Sequence, residues 1–186
     1  MSVWSALKYR NNAITEREGF IWLFIQIYYM WGVNMLCVKE LRSPRDIRFL
    51  NRLIAMYHRQ GNNPGLSKSR YFVGVVEEDG IEYWVAGAIL QSPEAFMVIF
   101  RKYNIDTKRS YFMRRVCRFV PRSKCGDILV EFLNKLANML KNEGKECILT
   151  LGLEDHSNAL YKLAGYKEIG VTTTGKPVYV KYLQHT

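Results

Sequence analysis

A chain of 186 residues with 48% apolar side chains is long enough to bury one core of ordinary size and too apolar for intrinsic disorder. Its 27 Lys and Arg outweigh 17 Asp and Glu, and a formal charge of +10 favours polyanionic partners: nucleic acid, an anionic membrane surface or a phosphate-rich cofactor. Four well-separated cysteines without a C-x-x-C pair, and only three histidines, argue against a metal centre and for reduced thiols in a cytoplasm, the host's if the chain is viral.

Met1 to Glu18 is polar and irregular, with no secretory pattern. Between Gly19 and Val38 run 20 uncharged residues, enough in length to cross a bilayer. Gln26, Gly32 and Asn34 interrupt that run, and Thr15-Glu16-Arg17-Glu18 matches a capping box in front of it. The expectation is a buried helix leading into a first strand at residues 34–41, with membrane attachment or a homodimer face as the alternatives. Residues 1–33 are thus set apart as an apolar N-terminal helix or extension, and residues 34–186 form the main domain.

Ser43-Pro44-Arg45-Asp46 opens a second helix, along which Ile47, Leu50, Leu53, Ile54 and Tyr57 recur at helical spacing as far as Arg59. Residues 60–65 are a loop by composition. Residues 70–76 and 82–90 read as strands joined through Glu78-Asp79-Gly80, a hairpin signal. Ser92-Pro93-Glu94 starts a short helix through Phe100, and residues 110–120 form the next strand. After a turn at residues 121–126, Ile128, Leu129, Phe132, Leu133, Leu136, Met139 and Leu140 mark one face of a helix that stops at Asn142-Glu143-Gly144. A buried strand at 147–153, a short helix at 157–164 and strands at 166–171 and 177–183 complete the chain. The order predicts an α+β fold, a mixed and mostly antiparallel sheet flanked by helices, with one parallel crossover.

Two segments carry chemistry. In the strand–turn–helix unit, the unpaired N–H groups and positive dipole of a helix N-terminus suit a pyrophosphate. Arg122, Lys124, Cys125, Gly126 and Asp127 stand where those groups point. This loop resembles the pyrophosphate loop of the GNAT superfamily, Q/R-x-x-G-x-G/A, with Arg122 at its first position, Cys125 in place of a glycine and Asp127 in place of the small residue. Asp127 reads better as an N-cap or first-turn acid than as a phosphate contact. Leu160-Tyr161-Lys162-Leu163-Ala164-Gly165-Tyr166-Lys167-Glu168-Ile169-Gly170 is similar to the superfamily's L-Y-x-x-x-G-F/Y-x-x-x-G segment.

The resemblance implies a GNAT-like acyl-CoA N-acyltransferase fold and use of acetyl-CoA or another acyl-CoA. It implies cofactor contacts from Phe119, Val120 and the 122–127 loop, with Tyr161 as the general acid toward the departing thiolate. Asp155-His156-Ser157-Asn158-Ala159-Leu160-Tyr161 and Cys117-Arg118-Phe119-Val120 are similar to the G-H-T-G-x-I-Y and S-R-L-V segments of phage Mom-type proteins, GNAT relatives that modify the adenine amino group of DNA. That likeness adds Arg118 to the candidate catalytic residues, with Asn158 departing from a glycine. His58, at a helix end, is a candidate base. Between Arg101 and Lys124 lie nine basic residues and one acid, interleaved with Tyr103, Tyr111 and Phe112, a stripe suited to DNA phosphates or equally to a solvated face feeding CoA. The alternatives are a GNAT acetyltransferase for a protein or small-molecule amine, and a catalytically silent nucleic-acid-binding module on the same fold.

Overall fold

The sheet is ordered β1-β2-β3-β4-β5-β7-β6, and every neighbouring pair in it is antiparallel except β4 with β5. The computed structural model describes residues 36–58, 68–78, 80–120, 127–154 and 157–183. Its elements are β1 (Leu36–Leu41), α1 (Pro44–Tyr57), β2 (Ser69–Glu78), β3 (Ile81–Gln91), a 3-10 turn (Pro93–Phe96) running into α2 (Met97–Lys102), β4 (Ser110–Arg118), α3 (Ile128–Asn142), β5 (Cys147–Leu151), α4 (Ala159–Leu163), β6 (Lys167–Val171) and β7 (Pro177–Tyr182). The expected α+β order holds, and the helix expected at Ser92 starts as the 3-10 turn. The N-terminal apolar segment up to residue 33, and the loop residues Arg122, Lys124, Cys125 and Gly126, lie outside the described residues.

Helices cover the two faces of the sheet separately. Gly74 and its cross-strand partner Ala86 share a face, and a Cβ at Gly74 would meet Phe132 of α3 at 2.9 Å. Gly87 is the next residue along β3 and so points the opposite way, toward Leu50 of α1. Leu50, Leu53 and Ile54 bury the face of α1 marked by its apolar spacing, and Phe132, Leu133, Leu136 and Leu140 do the same for α3. No described helix is long and apolar enough to cross a membrane.

One ion-pair network pins the N-terminal half to the crossover helix. Arg70 on β2 makes two hydrogen bonds to Glu40 of β1 (2.7 and 3.0 Å) and two to Glu143 at the end of α3 (2.6 and 2.9 Å), and donates to the Tyr111 hydroxyl at 3.1 Å. Its side chain is only 21% exposed. The guanidinium in turn holds the Glu40 carboxyl below its ordinary range. That contribution to stability is present above the unfolded carboxylate pKa and is lost as pH falls through the lower folded value. Arg70→Met leaves two carboxylates without their cation and should lower the unfolding free energy by about 2–3 kcal/mol at pH 7. Urea unfolding of both proteins should show the gap closing below about pH 4.

Candidate active site

The parallel pairing of β4 with β5 covers Ser110 to Met113 against Cys147 to Thr150 and goes no further. Past Met113, β4 continues beside β3 to Arg118, while β5 continues beside β7. The register between β3 and β4 slips where Ile89 pairs with Arg115 and Leu90 with Met113, leaving Arg114 as an extra residue in β4. At the point of parting, the Thr150 hydroxyl donates to the Met113 carbonyl at 2.9 Å.

A cavity of about 480 Å³ fills the gap. Its walls include five consecutive residues of β4, Phe112 to Val116, the last two of β5, Thr150 and Leu151, and the two that follow them, Gly152 and Leu153. From Arg114 onward the cleft is bounded by β4 main chain that β5 no longer covers. Phe96 and Phe112, stacked at 3.5 Å, close one side.

His58 and Tyr161 both line this cavity. His58 is the C-cap of α1, with extended backbone and its own N–H donated to the Ile54 carbonyl at 2.9 Å. Burial, with the Arg115 charge, pushes its imidazole below the ordinary value, so it is neutral at pH 7. Tyr161 stands on α4 between Tyr166 and Tyr179, with ring centroids 5.6 and 5.4 Å away. Burial raises its phenol above the ordinary value, while a hydrogen bond with Thr150 and the Arg115 charge pull it partly back. Arg115 therefore acts on both groups from β4, where its guanidinium donates to the Arg114 carbonyl at 2.8 Å.

Arg118 is not among the cavity residues; it lies further along β4, paired with Ala86. Phe119 is fully buried and donates its N–H to the Val85 carbonyl at 2.9 Å, which commits that donor to β3 and not to a cofactor. Val120 follows, also buried. Asp127 is the N-cap of α3, without a side-chain cap hydrogen bond, and its carbonyl accepts from Val130 and Glu131. The basic residues between Arg101 and Lys124 do not share one element: Arg101 and Lys102 end α2, Lys108 and Arg109 precede β4, and Arg114, Arg115 and Arg118 lie along it. Several are engaged, Arg109 with Glu146 and Arg114 with Gln91. Among the described residues no group of three or more His, Cys, Asp or Glu could hold a metal. Cys117 is buried and its thiol is pushed up to about 12 by desolvation, so it is no nucleophile.

Asn158 was legible only as a departure from glycine, and its structural role is larger. It adopts a left-handed conformation (φ 50°), accepts from the Leu153 N–H at 3.1 Å and donates to the Leu153 carbonyl at 3.0 Å. Its own carbonyl accepts the Tyr161 N–H at 3.1 Å. A Cβ at Gly152 would lie 2.8 Å from the Asn158 amide, so the strand end and the helix start lock together there. Gly170, the last glycine of the motif, has φ 144° and lies against Tyr103, whose hydroxyl a Cβ would approach to 2.5 Å.

The splayed β4–β5 pair, helices on both faces and the element order define the GNAT acyl-CoA N-acyltransferase fold. Solved structures with this fold include a GNAT-family acetyltransferase from Listeria monocytogenes (17% identity, TM-score 0.57, 79% of this chain and 94% of that one). The Escherichia coli N-acetyltransferase for the alanine of ribosomal protein S18 is similar too (14% identity, TM-score 0.55, 82% and 96%), as is an aminoglycoside acetyltransferase solved with coenzyme A and kanamycin (12%, 0.55, 79% and 94%). No protein-family model matches the chain. In sequence it is 46% identical over 150 residues to uncharacterized protein 154 of Sulfolobus islandicus rod-shaped virus 1, spanning 78% of this chain and 95% of that protein, and it belongs to the family of that viral protein.

Both Asn158→Gly and Asn158→Ala remove the two side-chain bonds to Leu153, and each should cost about 1–3 kcal/mol in urea unfolding. Alanine adds the left-handed strain and should be the worse of the two by about 1 kcal/mol.

Proposed function

We propose that the protein is an acyl-CoA-dependent N-acyltransferase. The observation that carries this reading is that His58 and Tyr161, about a hundred residues apart in sequence, meet on one cavity where β4 and β5 part. The cavity suits the group. Its length of uncovered β4 main chain offers peptide hydrogen-bonding groups to an amide-bearing arm, and α3, the next helix in the chain, has a positive dipole end at its N-terminus that suits a pyrophosphate. Arg122 and the rest of the 122–127 loop are the proposed contacts there.

Acyl-CoA bound in the cleft supplies an acyl group as a thioester, whose transfer to an amine forms an amide and releases a thiol. His58, neutral at pH 7, takes the proton lost by the attacking nitrogen. Tyr161, held protonated, gives its proton to the departing sulfur. Arg118, outside the cavity lining, is assigned a supporting place along β4 and no contact with the reacting atoms.

The acceptor we infer is a nucleobase amine. The likeness to Mom-type proteins supports it. So does the charge of the cavity, whose described lining includes Arg114, Arg115 and Lys176 and no carboxylate. Such a lining repels a polycationic acceptor such as an aminoglycoside. A protein or small-molecule amine is the alternative. The viral relative supports a viral origin, and the place of action we propose is the host cytoplasm.

Saturating acetyl-CoA should raise the melting temperature, and no shift would count against the proposal. Tyr161→Phe should lower kcat about 100-fold while leaving that stabilisation intact. In the wild type, the acid limb of kcat/KM, set by His58, should lie below the ordinary imidazole range, and the alkaline limb, set by Tyr161, above the ordinary phenol range, because burial moves the two groups apart. His58→Gln should lose the acid limb. Mass analysis of nucleosides from expressing cells identifies the acceptor, and unmodified bases would remove the nucleobase reading.

A further inference from the structure

Helix α1 carries a feature that neither the acyl-transfer chemistry nor the basic residues at 101–124 absorb. Arg45, Arg48 and Arg52 are all exposed and recur at helical spacing, opposite the buried Leu50, Leu53 and Ile54. At about 100° per residue the three fall within an arc of about 60°, and at 1.5 Å rise they span about 10 Å of helix axis. Arg42, just before the helix, adds a further exposed guanidinium; its side chain is 89% exposed and lies 3.8 Å from Glu40. The sole acid of α1 is the half-buried Asp46. The helix ends at His58, in the wall of the cavity.

We propose that α1 is the docking ridge for the phosphate backbone of a single nucleic-acid strand, which it leads toward the cleft. This rests on the proposed acyl-transfer reading only for what the strand is delivered to; the docking itself stands on the ridge. Three or four guanidiniums along about 10 Å of helix can each engage a phosphate oxygen of neighbouring nucleotides of one strand. A base that is to enter a cavity of this size must leave any stack, which favours a single strand. The stacked Phe96 and Phe112 in the cavity wall present an aromatic surface to such a base. An anionic membrane is the poorer fit. The apolar residues of α1 are turned into the core, leaving Met56 as its one strongly exposed large apolar side chain, so the helix has almost nothing to insert.

The test is fluorescence anisotropy of a labelled 20-nucleotide single-stranded DNA with the full chain across a KCl series. Beside the wild type it compares Arg48→Gln/Arg52→Gln with an equal-charge control, Arg101→Gln/Lys108→Gln. Losing two phosphate contacts should weaken binding about tenfold at 100 mM KCl. It should also make the log–log salt slope shallower by about 1.4, while the control stays within about twofold of the wild type. Stabilisation by acetyl-CoA should be equal in all three proteins. The proposal is overturned if the wild type does not bind the oligonucleotide, if the ridge variant keeps wild-type affinity and slope, or if the control loses as much as the ridge variant. Ridge-dependent binding to phosphatidylserine vesicles with no binding to the oligonucleotide would overturn it equally. Failure of the acyltransferase reading looks different: no acetyl-CoA stabilisation and no amide product, with ridge-dependent DNA binding intact.

Discussion

Everything distinctive about this fold follows from one interrupted ladder. A parallel strand pair in the middle of a sheet normally satisfies its backbone groups along its whole length, because a buried, unpaired N–H or C=O forfeits a hydrogen bond. Here β4 and β5 pair over four residues and then separate. Two local devices make the separation sharp: the extra residue Arg114 bends β4 at the parting, and the Thr150 hydroxyl donates a hydrogen bond to the last paired carbonyl. The edge left on β4 is a row of hydrogen-bonding groups held in fixed positions by β3 on its other side. Such an edge is stable when solvated or when a ligand supplies the missing partners, and the proposed cofactor arm would supply them.

The electrostatics of the gap follow from the same geometry. Consecutive arginines on a regular strand would face opposite sides of the sheet, but Arg114 and Arg115 both border the cavity. Arg115 lies near enough to act on His58 and Tyr161 together. Its charge disfavours the imidazolium and favours the phenolate, and burial opposes the charged form of each. For His58 the two influences add. For Tyr161 they oppose, and burial wins. The outcome is a neutral imidazole and a protonated phenol at the same pH, the pairing that the proposed proton transfers require.

The sequence was most informative where one physical cause dominated. Apolar periodicity located α1 and α3 to within a residue or two, since burial of one helical stripe leaves no other reading of Leu50, Leu53 and Ile54 or of Phe132, Leu133 and Leu136. The Tyr161 segment was legible because its glycines have steric duties: Gly165 ends α4 at positive φ, and Gly170 admits Tyr103. Arg115 was hidden, because nothing local distinguishes it from Arg118 until the slip in register decides which arginine borders the cleft. Asn158 was hidden for a different reason. Its two bonds to Leu153 compensate a left-handed backbone, a trade that only the folded loop displays. The single polar Thr150 within an apolar strand was a visible signal whose meaning depended on where β4 ends its pairing. The described basic residues between Arg101 and Lys124 are divided among the end of α2, the segment before β4 and β4 itself. The three arginines of α1, spread thinly in sequence, line up in space because 3.6 residues make a turn.

That contrast bears on the acceptor. A positive field in the cavity acts on any amine placed there in the same direction as it acts on the His58 imidazole, shifting it toward its neutral form. Neutral nitrogen is the nucleophile, so the field assists attack, but it also weakens the binding of any acceptor that depends on an ammonium charge. An amine of low intrinsic basicity loses nothing by this, since it is uncharged before it enters. Its binding energy must then come from elsewhere on the molecule: from stacking of its ring and from anionic groups at a distance from the reacting nitrogen. The aromatic pair Phe96 and Phe112 in the cavity wall and the arginine row on α1 are placed to supply those two terms separately, one inside the cleft and one outside it.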